Sequence, residues 1–321
     1  MFIILKQFFR NYSKKILNNL LKPHKIPKKI FTKINYYFEY KKYNQSLFEK
    51  EQNNIFNYFG LNRKDGVNEL ILVKKNLHLN LYTNLGMSSE HEVIFSSLSL
   101  DKKKSITEIL EIGTFDGFNA LLLSNLFPNS NIDTIDLPEK DNDFINFYNR
   151  QNKIDEFIKN RNILLSKNKN INFLPINSLK LLNNKKRYDL IWIDGAHGYP
   201  VVCIDIINSL YMIKENGLIL CDDVNLNLNQ INSDKMYNSI ASYETLNELK
   251  KQNLVDFKLV YKRLDARFNC LEEKRKFIAI VKKTWWFITK ETFLIREKKV
   301  YLNTSIYFGN FADFLTLNLM Y

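Results

Sequence analysis

Three aspartates stand in two short apolar settings, Tyr188-Asp-Leu-Ile-Trp-Ile-Asp194-Gly-Ala-His197-Gly-Tyr199 and Gly217-Leu-Ile-Leu-Cys-Asp222-Asp223. Each setting reads as a buried parallel strand ending on carboxylates. If the two strands are sheet neighbours, Asp194, Asp222 and Asp223 meet at one edge. Three close carboxylates repel one another and converge most readily around a cation. Oxygen donors of this kind suit Mg2+ or Mn2+, and a divalent ion beside an alcohol lowers the hydroxyl pKa and orients it. A neighbouring base can then take the proton: His197, three residues beyond Asp194, is one candidate and Asp194 itself another. Structural readings stand beside these. Asp222-Asp223 could cap the following turn without a metal, and His197 could pin the strand-end loop. Asp205, on the next helix, is read as a solvated or loop-pinning residue outside the chemistry.

A second cluster lies upstream, in Glu111-Ile-Gly-Thr-Phe-Asp-Gly117. Its Gly-x-x-x-Gly spacing lacks the G-x-G-x-x-G pattern of dinucleotide sites. A pyrophosphate needs close backbone approach and many N–H donors, whereas Thr114 and Phe115 add bulk here, so a ligand without phosphates is favoured over NAD. Asp136, ending the next strand, can accept hydrogen bonds from both hydroxyls of a ribose. Asn177, ending the third, could face an adenine edge.

These residues need strands that all end on one side. From about Met87 the pattern alternates between strands and helices. Ser88 or Ser89 caps a helix through about Leu98, followed by a strand at Glu108–Ile112, a helix over 117–127 and a strand at Ile132–Asp136. A helical stretch over 144–163, a strand at Ile171–Pro175, the strand at Tyr188–Asp194, a helix over 201–213 and a strand at Leu218–Asp222 complete the alternation. Strands separated by helices mean βαβ units and a parallel sheet. After a helix over 241–252, the apolar runs Phe257–Tyr261 and Phe277–Val281 read as a hairpin adding an antiparallel strand. The expected fold is α/β: a Rossmann-like, doubly wound, mostly parallel sheet with a C-terminal antiparallel hairpin strand and an N-terminal helical extension. Its divisions are 1–86, a basic, mostly helical extension; 87–283, the α/β domain; and 284–321, an aromatic-rich extension.

The order of these features resembles the class I S-adenosylmethionine-dependent methyltransferases over about residues 87–283. By that resemblance Gly113 and Gly117 line the methionine part of S-adenosylmethionine and Glu111 supports its amino group. Asp136 holds the ribose, with Asn177 and Ser178 beside the adenine. The I-D-G-x-H-x-Y and D-D motifs resemble a bacterial subgroup of small-molecule O-methyltransferases, including macrocin-type enzymes acting on macrolide sugars. In that subgroup the aspartates matching Asp194, Asp222 and Asp223 bind magnesium beside the acceptor hydroxyls. Ala196 stands where the subgroup commonly has an acidic residue.

Composition limits the alternatives. The chain has 321 residues, 45% hydrophobic and 25% charged, enough for a core without disulfides. Cys203, Cys221 and Cys270 form no C-x-x-C pair, which fits a reducing compartment. The net charge of +13 is concentrated: residues 1–50 hold 12 Lys/Arg against 2 Asp/Glu, the rest 35 against 32. A nucleic-acid methyltransferase is thus disfavoured by the near-neutral body, and also by the absence of N-P-P-Y or D-P-P-F. A non-catalytic cofactor-fold protein held through its basic arm is a third reading, against which the intact strand-end carboxylates stand. Leu5, Phe9, Tyr12, Ile16 and Leu20 fall at helical spacing. That stripe either lies on an anionic membrane, giving peripheral contact by residues 1–22, or packs on the protein or a second subunit as a homodimer. No run reaches the roughly 18 apolar residues of a spanning helix. The expected location is cytoplasmic, with peripheral contact at the inner membrane face as an open alternative, and the expected partner is a small acceptor, a sugar or glycoconjugate.

Overall fold

The computed structural model describes residues 28–77, 89–101, 105–148, 153–226 and 239–284. The amphipathic stripe of residues 1–22 and all of the C-terminal extension from 285 onward lie outside them.

Seven strands form one sheet in the order β3-β2-β1-β4-β5-β7-β6. In chain order they are β1 (Glu108–Ile112), β2 (Asn131–Asp136), β3 (Ile171–Pro175), β4 (Tyr188–Ile193), β5 (Ile213–Val224), β6 (Val255–Tyr261) and β7 (Phe277–Lys283). The first five are mutually parallel, and β7 runs antiparallel to both β5 and β6. The expected sheet with its reversed hairpin strand is therefore present. Parallel neighbours need long crossovers, and the helices supply them. These are α5 (Phe118–Leu126), α6 (Asn142–Tyr148), α7 (Ile154–Leu165), α8 (Val201–Met212) and α9 (Ala241–Lys251), after α1 (Lys28–Lys42), α2 (Gln45–Tyr58), α3 (Arg63–Asn76) and α4 (Glu90–Ser99).

Alternate strand residues feed two cores. Ile109, Leu190, Trp192, Leu220 and Ile280 face one side with helices α4 and α5. Leu110, Ile191, Ile193, Cys221 and Val281 face the other with α8 and α9. This period of two is why the strands read as unbroken apolar runs. Trp192 is fully buried, so truncating it to Ala would cost about 3–5 kcal/mol.

The N-terminal helices share this packing. Phe56, Phe59, Leu61, Leu70 and Val73 belong to the first core. Gly66 lets α3 approach α4 so closely that a Cβ there would lie 2.0 Å from Ser97 Oγ and 2.8 Å from the Val93 carbonyl. Helices α1 and α2 are separated where Tyr43 turns inward to donate to the Leu264 carbonyl (2.7 Å) and to stack on Phe48. Helix α3 has no counterpart in the sequence reading, because its apolar positions make only a weak stripe. Asn62 nevertheless caps it, accepting from the Asp65 N–H at 3.2 Å.

Candidate active site

Register sets the site. Ile112 of β1 pairs with Ile135 of β2 and with Ile193 of β4, and Ile193 pairs with Cys221 of β5. The residues one step beyond that row are Gly113, Asp136, Asp194 and Asp222. Four strands thus deliver the predicted residues to one line at their carboxyl ends, where open α/β sheets bind ligands.

The turn after β1 is built around a bare backbone. Gly113 has φ +106°, and a Cβ there would lie 2.3 Å from the Asp194 carbonyl oxygen. The turn is therefore pressed against the loop after β4, and only glycine fits. Gly113 and Thr114 N–H groups both donate to the Ile135 carbonyl, at 2.9 and 3.1 Å. Gly117, at φ +80°, starts α5. Phe115 also takes a positive φ, +49°, uncommon outside glycine. Its N–H donates to Asp136 Oδ2 at 3.0 Å, while Leu137 N–H donates to Oδ1 at 2.8 Å. A carboxylate is the acceptor type that ribose hydroxyls donate to.

Beneath the turn, Glu111 is wholly buried. It accepts from Thr134 (2.5 Å) and Asn119 (2.7 Å). Burial pushes its carboxyl up to about 8, against the pull of those two hydrogen bonds. A buried acid with no cation in contact among the described residues is what an incoming ammonium group would ionise, and S-adenosylmethionine carries one. The bare turn, the pinned Asp136 and this acid together fit that cofactor.

Asn177 and Ser178 follow β3. Pro175 pairs with Asp136, so Asn177 lies two residues further along the same edge. Its Oδ1 is engaged in capping the 3-10 turn Ser178–Asn183, accepting from the Leu179 N–H at 3.0 Å. Ser178 lies by Asp205, whose carboxyl burial pushes up to about 6, with the Ser178 hydroxyl and His197 opposing. Asp205 is 1% exposed. Of the two readings of Asp205, solvated or loop-pinning, burial excludes the first: the inward face of α8 carries it under the site.

At the end of β4, Asp194 Oδ1 and His197 Nε2 are 3.5 Å apart. Burial and then the like charge of Asp222 push Asp194 up to about 7, with His197 and Lys262 opposing. Because 36% of the Asp194 side chain still reaches solvent, the repulsion from Asp222 is the better-founded cause. His197 is held above the ordinary imidazole range: burial opposes this, and the carboxylates of Asp194, Asp223 and Asp222 outweigh it. His91, on α4, stacks on Trp192 with ring centroids 4.8 Å apart. Burial brings His91 down to about 4, so it is neutral beside Asp222.

The aspartates of β5 have a partner that the sequence reading did not foresee. Lys262 follows β6, and its ammonium donates to Asp222 Oδ2 and to Asp223 Oδ1, the latter at 2.5 Å. Lys276, just before β7, donates to Asp223 Oδ2 at 2.6 Å. Three of the four carboxylate oxygens of Asp222 and Asp223 are thus held by ammonium groups. Among the described residues no group of three or more His, Cys, Asp or Glu side chains is arranged to hold a metal ion. The expectation of Mg2+ or Mn2+ on Asp194, Asp222 and Asp223 therefore meets a donor set that does not fit one. Convergence of the carboxylates needed a cation, and lysine supplies it.

The sequence reading missed His91, Asn119, Lys262 and Lys276. Only Lys262 and Lys276 left a signal: they flank the hairpin loop, at the sheet edge where the aspartates end.

A family described as a methyltransferase domain matches residues 110–224, from β1 to the end of β5. Malonyl-(acyl-carrier protein) O-methyltransferase 2 of Ilyobacter polytropus is 24% identical over 215 residues, covering 61% of this chain and 73% of that protein. Among solved structures, a caffeoyl-CoA O-methyltransferase from Staphylococcus aureus superposes with a TM-score of 0.44 at 16% identity, over 68% of this chain and 99% of that one. The O-methyltransferase TomG from Streptomyces achromogenes does so with 0.40 at 13% identity, over 73% and 98%. The glycine turn, Asp136 and the aligned strand-end aspartates all stand within the matched segment, so the chain carries a methyltransferase domain over residues 110–224 and is similar there to S-adenosylmethionine-dependent methyltransferases.

Proposed function

We propose that the enzyme moves the methyl group of S-adenosylmethionine to a hydroxyl oxygen of a small polyhydroxylated acceptor, a sugar or glycoconjugate. The observation that carries this reading is the Asp194–His197 pair, one register step beyond β1 and β4 and directly against the glycine turn. The bound cofactor supplies an electrophilic methyl group on a positively charged sulfur. Glu111 holds the amino group and Asp136 the ribose, and Gly113 lets the turn between them press against the loop after β4. Methyl transfer is an in-line displacement, so holding donor and acceptor in line lowers the barrier. An alcohol is a poor nucleophile at neutral pH, and Asp194 stands ready as its base. A carboxylate with a pKa near 7 is matched to that task, and His197 orients it. Oxygen as the acceptor atom is supported by this pair and by the O-methyltransferase named among the relatives. The sugar class is supported by the resemblance of the I-D-G-x-H-x-Y and D-D motifs.

The test is calorimetric titration of S-adenosylhomocysteine into the full chain, followed by a screen of sugars and phenols with methyl-labelled donor. Dissociation constants of about micromolar order and label on a hydroxyl oxygen are expected. No binding, or label found only on nitrogen, overturns the reading.

A further inference from the structure

We infer that Lys262 is the built-in cation of the acceptor site, standing between Asp222 and Asp223 where the resemblance of the D-D motif implies a divalent metal. This rests on the methyltransferase reading above, and it concerns the acceptor side alone.

The geometry is specific. Asp222 and Asp223 are both buried, with 3% and 7% exposure. They sit at the end of a central strand, and Asp223 takes a φ of +50°. A buried carboxylate pair persists only when it is neutralised. Lys262 reaches both from just beyond the end of β6. Leu259 pairs with Ala279, which pairs with Cys221, so Lys262 begins three residues out along the same edge. Its four-carbon stem brings the ammonium back over β7 to Asp222. The Lys262 N–H bonds to the Lys276 carbonyl at 2.8 Å, closing the hairpin with both lysines on the aspartate side. Lys276 takes the remaining oxygen of Asp223.

Asp222 Oδ1 is then left buried with no hydrogen-bond partner among the described residues. It is the atom of this pair free to accept from an acceptor hydroxyl. A magnesium ion needs its oxygens at about 2.0–2.1 Å. On these two carboxylates it would have to displace an ammonium already at contact, or sit beside it against like-charge repulsion. Lys262 acts through the aspartates and is a positioning residue: it fixes where they point and balances their charge without a metal.

The test uses Mn2+ alone, with the chelator-stripped full chain, read as the loss of the free-ion signal in electron paramagnetic resonance. S-adenosylhomocysteine binding, measured alongside, reports the methyltransferase reading separately, so failure of either is told apart from the other. Wild type is expected to show no stoichiometric Mn2+ site and an unchanged melting temperature with and without chelator. Lys262→Met keeps the length of the stem and removes the charge; in folded variant, Mn2+ binding is expected to tighten at least tenfold, and Lys262→Arg is expected to abolish that gain. One tight Mn2+ equivalent in wild type that Asp222→Asn removes would overturn the inference. So would a folded Lys262→Met protein that gains no Mn2+ affinity. If Lys262→Met does not fold, the wild-type titration decides alone, absence of the site supporting the inference and presence overturning it.

Discussion

Cofactor binding should expel a proton from Glu111. The ordinary value for this carboxyl is 4.5, and burial lifts it to about 8. At pH 7 about nine-tenths of the molecules then carry the proton. An ammonium group set beside the acid favours its charged form, so S-adenosylhomocysteine binding should release about 0.9 proton at pH 7 and about a tenth of one at pH 9. The assay is titration calorimetry at fixed pH in buffers of different ionisation enthalpy, where the slope of apparent against buffer enthalpy counts protons. Stability offers an independent check, and its sign is fixed. Between pH 4.5 and about 8 the folded chain binds a proton that the unfolded chain has lost, so this group makes stability fall as pH rises through that window. By pH 7 the loss amounts to about 3 kcal/mol at about 1.4 kcal/mol per pH unit. Glu111→Gln keeps the shape and should abolish both the proton release and this part of the pH slope. A calorimetric slope near zero at pH 7, or the same slope in Glu111→Gln, refutes the placement of the cofactor amino group at Glu111.

Three further outcomes are expected. Gly113→Ala should weaken S-adenosylhomocysteine binding more than tenfold and lower the melting temperature. Its Cβ meets the Asp194 carbonyl at 2.3 Å on a backbone with φ +106°, whereas Gly117→Ala meets the flexible Leu165 side chain at 3.0 Å and should be milder; equal effects would contradict this. Asp136→Ala should reduce cofactor affinity by about 1.5–3 kcal/mol, the worth of a hydrogen bond to a charged group; calorimetry showing unchanged affinity would remove Asp136 from the ribose site. Methyl transfer to the acceptor found by screening should rise as pH passes about 7, where Asp194 ionises, and Asp194→Asn should lose that limb. A pH profile left intact in Asp194→Asn would assign the base elsewhere.

The parallel strands were legible because both faces are covered. Residues such as Ile191, Trp192 and Ile193 are buried whichever way they point, so β4 is written as a plain apolar run that needs no partner to be read. The residues ending each strand were legible for a related reason: a polar side chain closing an apolar run can only be at the edge of the sheet. Gly113 announced itself through its neighbours in Glu111-Ile-Gly-Thr, although the close approach that requires glycine, against the Asp194 carbonyl, is visible only in three dimensions. Helix α3 and the break between α1 and α2 were not legible. The first has a weak apolar stripe, and the second depends on Tyr43 finding the Leu264 carbonyl 221 residues away.

The sequence by itself determined which residues end the strands, and therefore that Glu111, Gly113, Asp136, Asp194 and Asp222 share one edge; alternation and burial are local properties, written residue by residue. The tertiary structure decided what neutralises the carboxylates. Asp222 and Lys262 are 40 residues apart, and nothing local to either one states that a reversed β7 will fold the hairpin back against β5. Charge pairing acts through space over a few ångströms, so the partner of a buried aspartate is fixed by sheet order and register rather than by spacing along the chain.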